Sequence, residues 1–211
     1  MKFRLKTKEN KSKSLWGKGD KDTLKLLNKI RIQGKWLNLA AGDGRYNLNL
    51  LKNADLVIAS DIDKRVLNKL WRNTPSKYRS KLQIKVFDLT QKSPFKSDYF
   101  DGIFCTGILH LVPRKILPKI LREMNRVLNK NGKIIIDFAT DIKRISFDGK
   151  FITIGKEPLY KLQEARKVLR KLFNNYKVKI YESAVKDEIV QAANSYKFSC
   201  KFIILVADKN K

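Results

Sequence analysis

Residues 37–45 read Leu-Asn-Leu-Ala-Ala-Gly-Asp-Gly-Arg. An apolar stretch that runs straight into a two-glycine turn lets the backbone approach a ligand closely, because Gly42 and Gly44 carry no side chain to stand in the way. Asp61 closes the next apolar stretch, nineteen residues after Gly42. A carboxylate at that distance is placed to accept hydrogen bonds from ribose hydroxyls, with Ile62 beside it. The pattern points to a nucleoside-containing cofactor. The full Gly-x-Gly-x-x-Gly fingerprint is missing, since Asn47 occupies its third glycine position, and that argues against a pyrophosphate-binding dehydrogenase. Asp88, in Val86-Phe87-Asp88-Leu89, follows a third apolar stretch and can accept from an exocyclic adenine amine. His110 is the only histidine and the one side chain with a near-neutral intrinsic pKa. It is a candidate general base, or else it caps or packs against the helix that follows.

These residues need elements to hold them, and the hydrophobic pattern supplies them. Apolar runs at 35–40, 56–60, 82–87, 101–105 and 133–138 have strand length and alternate with helical patterns. Leu24, Leu26, Leu27 and Ile30 share one face of a first helix, with Asp20 or Asp22 available as its N-cap. Leu48, Leu50 and Leu51, then Val66, Leu67, Leu70 and Trp71, mark the next two. A longer helix at 116–128 is expected to end at Asn131-Gly132. Beyond it come a hairpin signal at Asp148-Gly149, a basic helix at 159–173, and strands at 177–183 and 198–207. Strand–helix alternation with apolar strands predicts an α/β fold: a doubly wound, mostly parallel seven-stranded sheet covered on both faces, Rossmann-like, with an antiparallel C-terminal strand. Ligands of such sheets bind at the carboxyl ends of the strands, where Asn38, Gly42, Asp61, Asp88 and Cys105 all fall.

Two further segments carry a resemblance. Phe100-Asp101-Gly102-Ile103-Phe104-Cys105-Thr106-Gly107-Ile108-Leu109-His110 is one, and Glu123-Met124-Asn125-Arg126-Val127-Leu128 leading to Gly132-Lys133-Ile134-Ile135-Ile136 is the other. Together with the glycine turn, Asp61 and Asp88, in this order over residues 30–140, they resemble the class I S-adenosylmethionine-dependent methyltransferases, and among them the type 11 group. The resemblance implies S-adenosyl-L-methionine as cofactor. Asn38, Ala40, Gly42 and Gly44 would cradle its methionine part and Asp61 and Ile62 its ribose side. Asp88 and the backbone of Leu89 would recognise adenine, and the backbone at Cys105 would face the methionine amino group. Two positions depart from the family, which usually has an acid where this chain has Asn38 and a glycine where it has Ala40. The segment after the fourth strand, Cys105-Thr106-Gly107-Ile108, also lacks the Pro-Pro-aromatic sequence used to methylate exocyclic base amines.

The net charge of +27, from 47 Lys and Arg against 20 Asp and Glu, favours a polyanionic partner, and RNA is the expected one. Residues 1–35 hold twelve basic residues against three acids; residues 1–19 read as a basic flexible arm, in which Trp16 could stack on a base, as could Tyr46 further along. The remainder, 20–211, reads as a single domain with a hairpin insertion near 144–158. Cys105 and Cys200 have no metal-type spacing, so no metal is expected and both thiols read as reduced and buried. With no apolar run of membrane-spanning length and no secretory signal, the expected location is the cytoplasm. The function expected is methyl transfer to tRNA or rRNA. The alternatives are a small-molecule methyltransferase of the same group and a non-catalytic RNA-binding or partner protein that keeps the fold.

Overall fold

The computed structural model describes residues 19–190 and 195–209. The basic arm as far as residue 18, with Trp16, lies outside them. Asp20 starts helix α1 (Lys21–Lys29) by accepting a hydrogen bond from the Thr23 amide at 2.8 Å, which settles the choice of N-cap left open by the sequence. Strand β1 (Lys35–Leu39), helix α2 (Asn47–Leu51), strand β2 (Leu56–Asp61), helix α3 (Lys64–Asn73), the short helix α4 (Ser76–Arg79) and strand β3 (Leu82–Val86) come next. Then come β4 (Phe100–Cys105), a single 3-10 turn (Leu109–Leu111), α5 (Leu117–Val127), β5 (Leu128–Ser146), α6 (Leu162–Leu172), β6 (Tyr176–Val190) and β7 (Tyr196–Lys209).

The seven strands form one sheet in the order β3-β2-β1-β4-β5-β7-β6. β1 to β5 pair in parallel, and β7 runs antiparallel to both β5 and β6. This is the doubly wound, mostly parallel sheet predicted from the strand–helix alternation, with β7 as its antiparallel strand. Strand side chains alternate between two apolar layers, as the period of two requires. Leu37, Ile103, Cys105, Ile134 and Ile136 pack with α5 and α6 on one face, while Trp36, Val57, Phe104 and Ile135 pack with α1, α2 and α3 on the other. Leu48 and Trp71 take no part in the buried core and sit partly in solvent.

The expected end of the long helix is corrected. α5 stops at Val127, and β5 begins at once with Leu128 paired to Phe100. Asn131, with φ of 65°, makes an irregularity inside β5 rather than a helix terminus. The reason lies in the packing: Leu128 is fully buried in the core and paired with Phe100, so the chain leaves the helical path before the Asn-Gly signal. The Glu123 and Arg126 of α5 explain one of the sequence motifs structurally. Glu123 accepts from the Ser93 amide and from Arg126, whose guanidinium also donates to the Phe95 carbonyl at 2.8 Å. This clamps the loop leading into β4 onto the helix. The Arg126 bond and the Ser93 amide hold the Glu123 carboxyl down at about 2.

At the other end of the sheet, β5, β7 and β6 run far past the parallel strands. β5 steps out of register between Thr140 and Lys143, and β6 between Val185 and Glu188. The turn at Asp148-Gly149 closes with Ser146 bonded to Lys150, and its returning segment makes a single bridge, Phe151 to Ile145. A buried ion pair, Arg144 with Glu157, ties the segment between this turn and α6 back to β5. Among the described residues no helix is long and apolar enough to cross a membrane.

Gly102 on β4 has a packing duty that sequence alone does not reveal. A Cβ there would stand 2.3 Å from Cε2 of the fully buried Trp36 on the neighbouring strand. Gly102→Ala is therefore expected to lower unfolding free energy by about 1–3 kcal/mol through overpacking, read from denaturant titration. An unchanged midpoint would mean that the indole can move aside.

Candidate functional site

The parallel ladder aligns Leu39 with Ser60 and with Cys105, Cys105 with Ile136, and Asp61 with Val86. The ends of β1, β2, β3 and β4 therefore come out at one edge, level with the middle of β5, and the sequence-predicted residues meet there. Asn38 is buried in β1, Asp61 closes β2, Asp88 and Leu89 follow β3, and Cys105 closes β4. Strand order reverses between β1 and β4, which is where such sheets leave a crevice.

The turn after β1 is built from left-handed residues. Ala40, Gly42 and Gly44 have φ of 55°, 54° and 93°. Gly44 is required for space as well as for conformation, because a Cβ would meet Cγ of Leu70 at 2.8 Å. Ala40 adopts the same region with a side chain, at a cost of roughly 1–2 kcal/mol. Asp43 at the centre of the turn is buried and paired with Lys69 of α3 at 3.2 Å. The turn is thus fixed from below by a helix and from the side by Asp61, whose Oδ2 accepts from the Gly42 amide at 2.9 Å while Oδ1 accepts from the Asp63 amide at 3.0 Å. Two backbone donors set the plane of this carboxylate, and each of its oxygens keeps a second lone pair for an outside donor. Ile62, next along the chain, is 68% exposed and offers an apolar platform beside it.

Asp88 Oδ1 accepts from the amide and the hydroxyl of Thr90 at 2.8 and 2.7 Å, and Oδ2 makes no hydrogen bond among the described residues. A crevice lined by Leu39, Phe87, Leu89 and Met124 begins at this point. Asn38 donates through Nδ2 to Asn47 Oδ1 at 3.1 Å, and Asn47 Nδ2 is buried with no partner among the described residues. An unmet donor in that position is suited to a polar ligand group lying over the turn. So the edge offers a carboxylate pair of lone pairs, an apolar platform, a second carboxylate and an orphan amide. That set fits an adenosine with a polar tail.

Other placements revise the sequence reading. Tyr46 is buried edge-on against Phe104, with ring centroids 5.4 Å apart, and its hydroxyl accepts from the Asp20 amide at 2.8 Å; it is a packing residue and cannot stack on a base. The Cys105 thiol is fully buried and burial pushes its pKa up, which leaves only its backbone at the site. Cys200 is likewise buried, its thiol pushed up to about 12, and neither cysteine is in a disulfide. Among the described residues no group of three metal-ligating side chains converges.

His110 lies in the 3-10 turn after β4, 9% exposed, with its ring edge-on to Phe138 and its Nδ1 buried without a partner. Burial, and then the charge of Arg144, push its pKa down to about 4 against the opposing pull of Glu157. Two residues that the sequence reading passed over belong to the site. One is Asn47, read there as a missing glycine. The other is Asp137 in the middle of β5, where the parallel pairing with β4 stops, buried, with Oδ1 accepting from the Gly107 amide at 2.6 Å. The signal for it was present, because a carboxylate inside Ile134-Ile135-Ile136-Asp137-Phe138 interrupts an apolar strand that has no structural use for it.

Comparison with known proteins bears on the family and the fold. Residues 37–136 match the family described as "Methyltransferase domain", type 11. No curated protein sequence matches the chain. Among solved structures, it is similar to DhpI in its SAH complex, at 20% identity over 89% of this chain and 82% of that one, with a TM-score of 0.61. It is also similar to the YcgJ protein of Bacillus subtilis, at 15% identity over 91% and 100%, TM-score 0.64, and to an S-adenosylmethionine-dependent methyltransferase of Mesorhizobium loti, at 12% identity over 89% and 96%, TM-score 0.61.

The depressed pKa of His110 makes a stability prediction. Above pH 6.5 the ring is neutral folded and unfolded, so it contributes no pH dependence. As pH falls towards 4 only the unfolded chain takes the proton, and folding weakens. Relative to wild type, His110→Leu is expected to gain up to about 3 kcal/mol between pH 7 and pH 4. Parallel denaturant titrations of the two proteins at both pH values check it, and a constant difference would show that the ring titrates normally.

Proposed function

We propose that this chain, whose residues 37–136 match the methyltransferase domain family, is a class I S-adenosylmethionine-dependent methyltransferase of the type 11 group and transfers a methyl group from S-adenosyl-L-methionine to an RNA, tRNA or rRNA. The observation that carries the cofactor reading is the Asp61 carboxylate, held in one orientation by the Gly42 and Asp63 amides beside the left-handed turn. Asp61 receives the ribose hydroxyls and Ile62 flanks the adenosine. Asp88 Oδ2 and the Leu89 backbone take the adenine edge. The turn from Ala40 to Gly44 and the Asn38–Asn47 amide pair lie under the methionyl part, with the Cys105 backbone on its far side. When bound, this cofactor supplies a methyl group already activated on a sulfonium, so the protein's task is alignment and exclusion of water.

His110 is the sequence candidate for a base on the acceptor side. Kept neutral by burial, it serves there as an uncharged wall rather than as a strong proton acceptor. The acceptor reading rests on the net charge of +27. A field of that sign draws a polyanion to the molecule and speeds its arrival. The domain boundaries belong to the same proposal: a basic arm at 1–19 that meets the RNA, a methyltransferase domain at 20–211, and the hairpin near 144–158 covering the acceptor.

Two measurements test these readings. In calorimetric titration, S-adenosylmethionine and S-adenosylhomocysteine are expected to bind with Kd on the order of micromolar, and Asp61→Ala to weaken both by roughly 10–100-fold. A folded wild type that binds neither ligand would mean a non-catalytic protein that has kept the fold. For the acceptor, total tRNA and rRNA are expected to take up label from methyl-labelled cofactor, and binding of the same RNA should fall at least about tenfold between 50 and 200 mM salt. Label appearing only in a small-molecule fraction, with no salt-sensitive RNA binding, would overturn the RNA reading and leave the methyltransferase reading standing.

A further inference from the structure

Two aspartates are buried at the edge where the parallel strands end, and among the described residues Asp43 has a cation in contact while Asp137 has none. Asp43 is paired with Lys69. Asp137, 7% exposed, receives one hydrogen bond, from the Gly107 amide. Its second oxygen has no hydrogen bond and no ion-pair partner among the described residues. Burying a carboxylate without a counter-charge is costly, and buried charges in proteins are normally paired. This one persists in a chain with 47 Lys and Arg, any of which could have been placed against it.

The position of Asp137 says where its partner would come from. It follows Ile136, which is in register with Cys105 at the end of β4. On β5 it shares the face of Ile135, the side covered by α1 and α2. The groups that face it are Asp20 at the start of α1, Arg45 and Tyr46 in the glycine turn, Cys105 on β4 and Cys200 on β7. Arg45 is exposed and stacks over the Tyr46 ring at 5.3 Å, leaving it out of contact with the carboxylate. Asn38, the side chain under the methionyl part of the proposed cofactor, is an uncharged amide engaged with Asn47. Of the acids around the turn, Asp43 is neutralised by Lys69, whereas Asp137 has no cation in contact.

We propose that Asp137 is the counter-charge of the cofactor's sulfonium, and that it makes the site select the charged methyl donor over its neutral demethylated product. The proposal rests on the cofactor reading above. Asp137 is a positioning and selectivity residue in this account. With the sulfonium present the carboxylate has the cation that the protein does not provide. Once the methyl has left, sulfur is a neutral thioether, the carboxylate is again unpaired, and release of the product is favoured. The same arrangement couples binding to pH. Burial raises the Asp137 carboxyl to about 6, against the lowering effects of the Gly107 amide and Arg45, and a bound cation favours its ionised form.

The test is calorimetric titration with S-adenosylmethionine and, separately, S-adenosylhomocysteine, for wild type and Asp137→Asn, at pH 5.0 and 7.5. Wild type is expected to bind the sulfonium ligand more weakly at pH 5.0, by roughly tenfold, and the thioether nearly equally at both. Asp137→Asn is expected to lose roughly tenfold for the sulfonium ligand alone at pH 7.5, and to lose the pH dependence. Asp20→Asn, which removes the other acid facing the site, should retain it. If Asp137→Asn weakens both ligands equally, or neither, the counter-charge role is wrong while the cofactor reading stands. Should that variant fail to fold, the wild-type comparison decides: an equal pH dependence for the two ligands overturns the proposal. Wild type binding neither ligand would remove the cofactor reading and this inference with it.

Discussion

The hydrogen bond from the Gly42 amide to the Asp61 carboxylate joins the turn after β1 to the end of β2. A turn built on three left-handed residues has little to hold it in itself. Its own backbone bonds are local, such as Gly44 to Ala41, and one of its residues, Ala40, works against its intrinsic preference. What fixes it is outside: Asp61 on one side and the Lys69–Asp43 pair below. The carboxylate that is oriented by the turn also holds the turn in place, so the two are interdependent. Neither Asp61 nor Gly42 can be altered without loosening the other.

Much of this was legible from residue types and spacing. Asp61 and Gly42 announced themselves as a glycine turn and an acid nineteen residues apart. The 3-4 spacing of Leu117, Ile120, Leu121, Met124 and Val127 gave α5 its buried face. What escaped the sequence depended on partners far along the chain. The Asn-Gly pair at 131–132 is a good local stop signal, yet the helix ends at Val127 because Leu128 is claimed by its pairing with Phe100. Tyr46 has the composition of a stacking residue, but Phe104 and the Asp20 amide occupy it. Asn47 acquires its meaning only once Asn38 is seen beside it. Asp137 differs from these, since an acid inside an apolar strand is informative without any knowledge of its neighbours.

The electrostatics of the edge contrast with those of the surface. Outside, basic residues outnumber acids more than two to one in the chain as a whole. Inside, His110 is held neutral by burial and by Arg144, Asn38 replaces charge with an amide, and the Cys105 thiol stays protonated. Buried charge there is paired, Asp43 with Lys69 and Glu157 with Arg144, and Asp137 has no cation in contact. A single carboxylate in such surroundings acts with little screening from protein or solvent, while the surface field works over a longer range and is weakened by salt. The positive surface field and the buried carboxylate thus act in different dielectric settings.

The two register steps in the long strands fall at one level. β5 gains its extra residue between the partners of Lys201 and Ser199, and β6 gains its own between the partners of Cys200 and Phe198. Both detours bracket the same short stretch of β7, so they form a crease running across three strands. A residue inserted in each flanking strand reverses which face every later side chain occupies. The ribbon beyond the crease is thus read in a different phase from the sheet below it. Its sequence can be rewritten without disturbing the packing of the layers around β1 to β4. In evolutionary terms the crease is a seam: the parallel strands and the turn after β1 can be inherited unchanged while the ribbon beyond it varies.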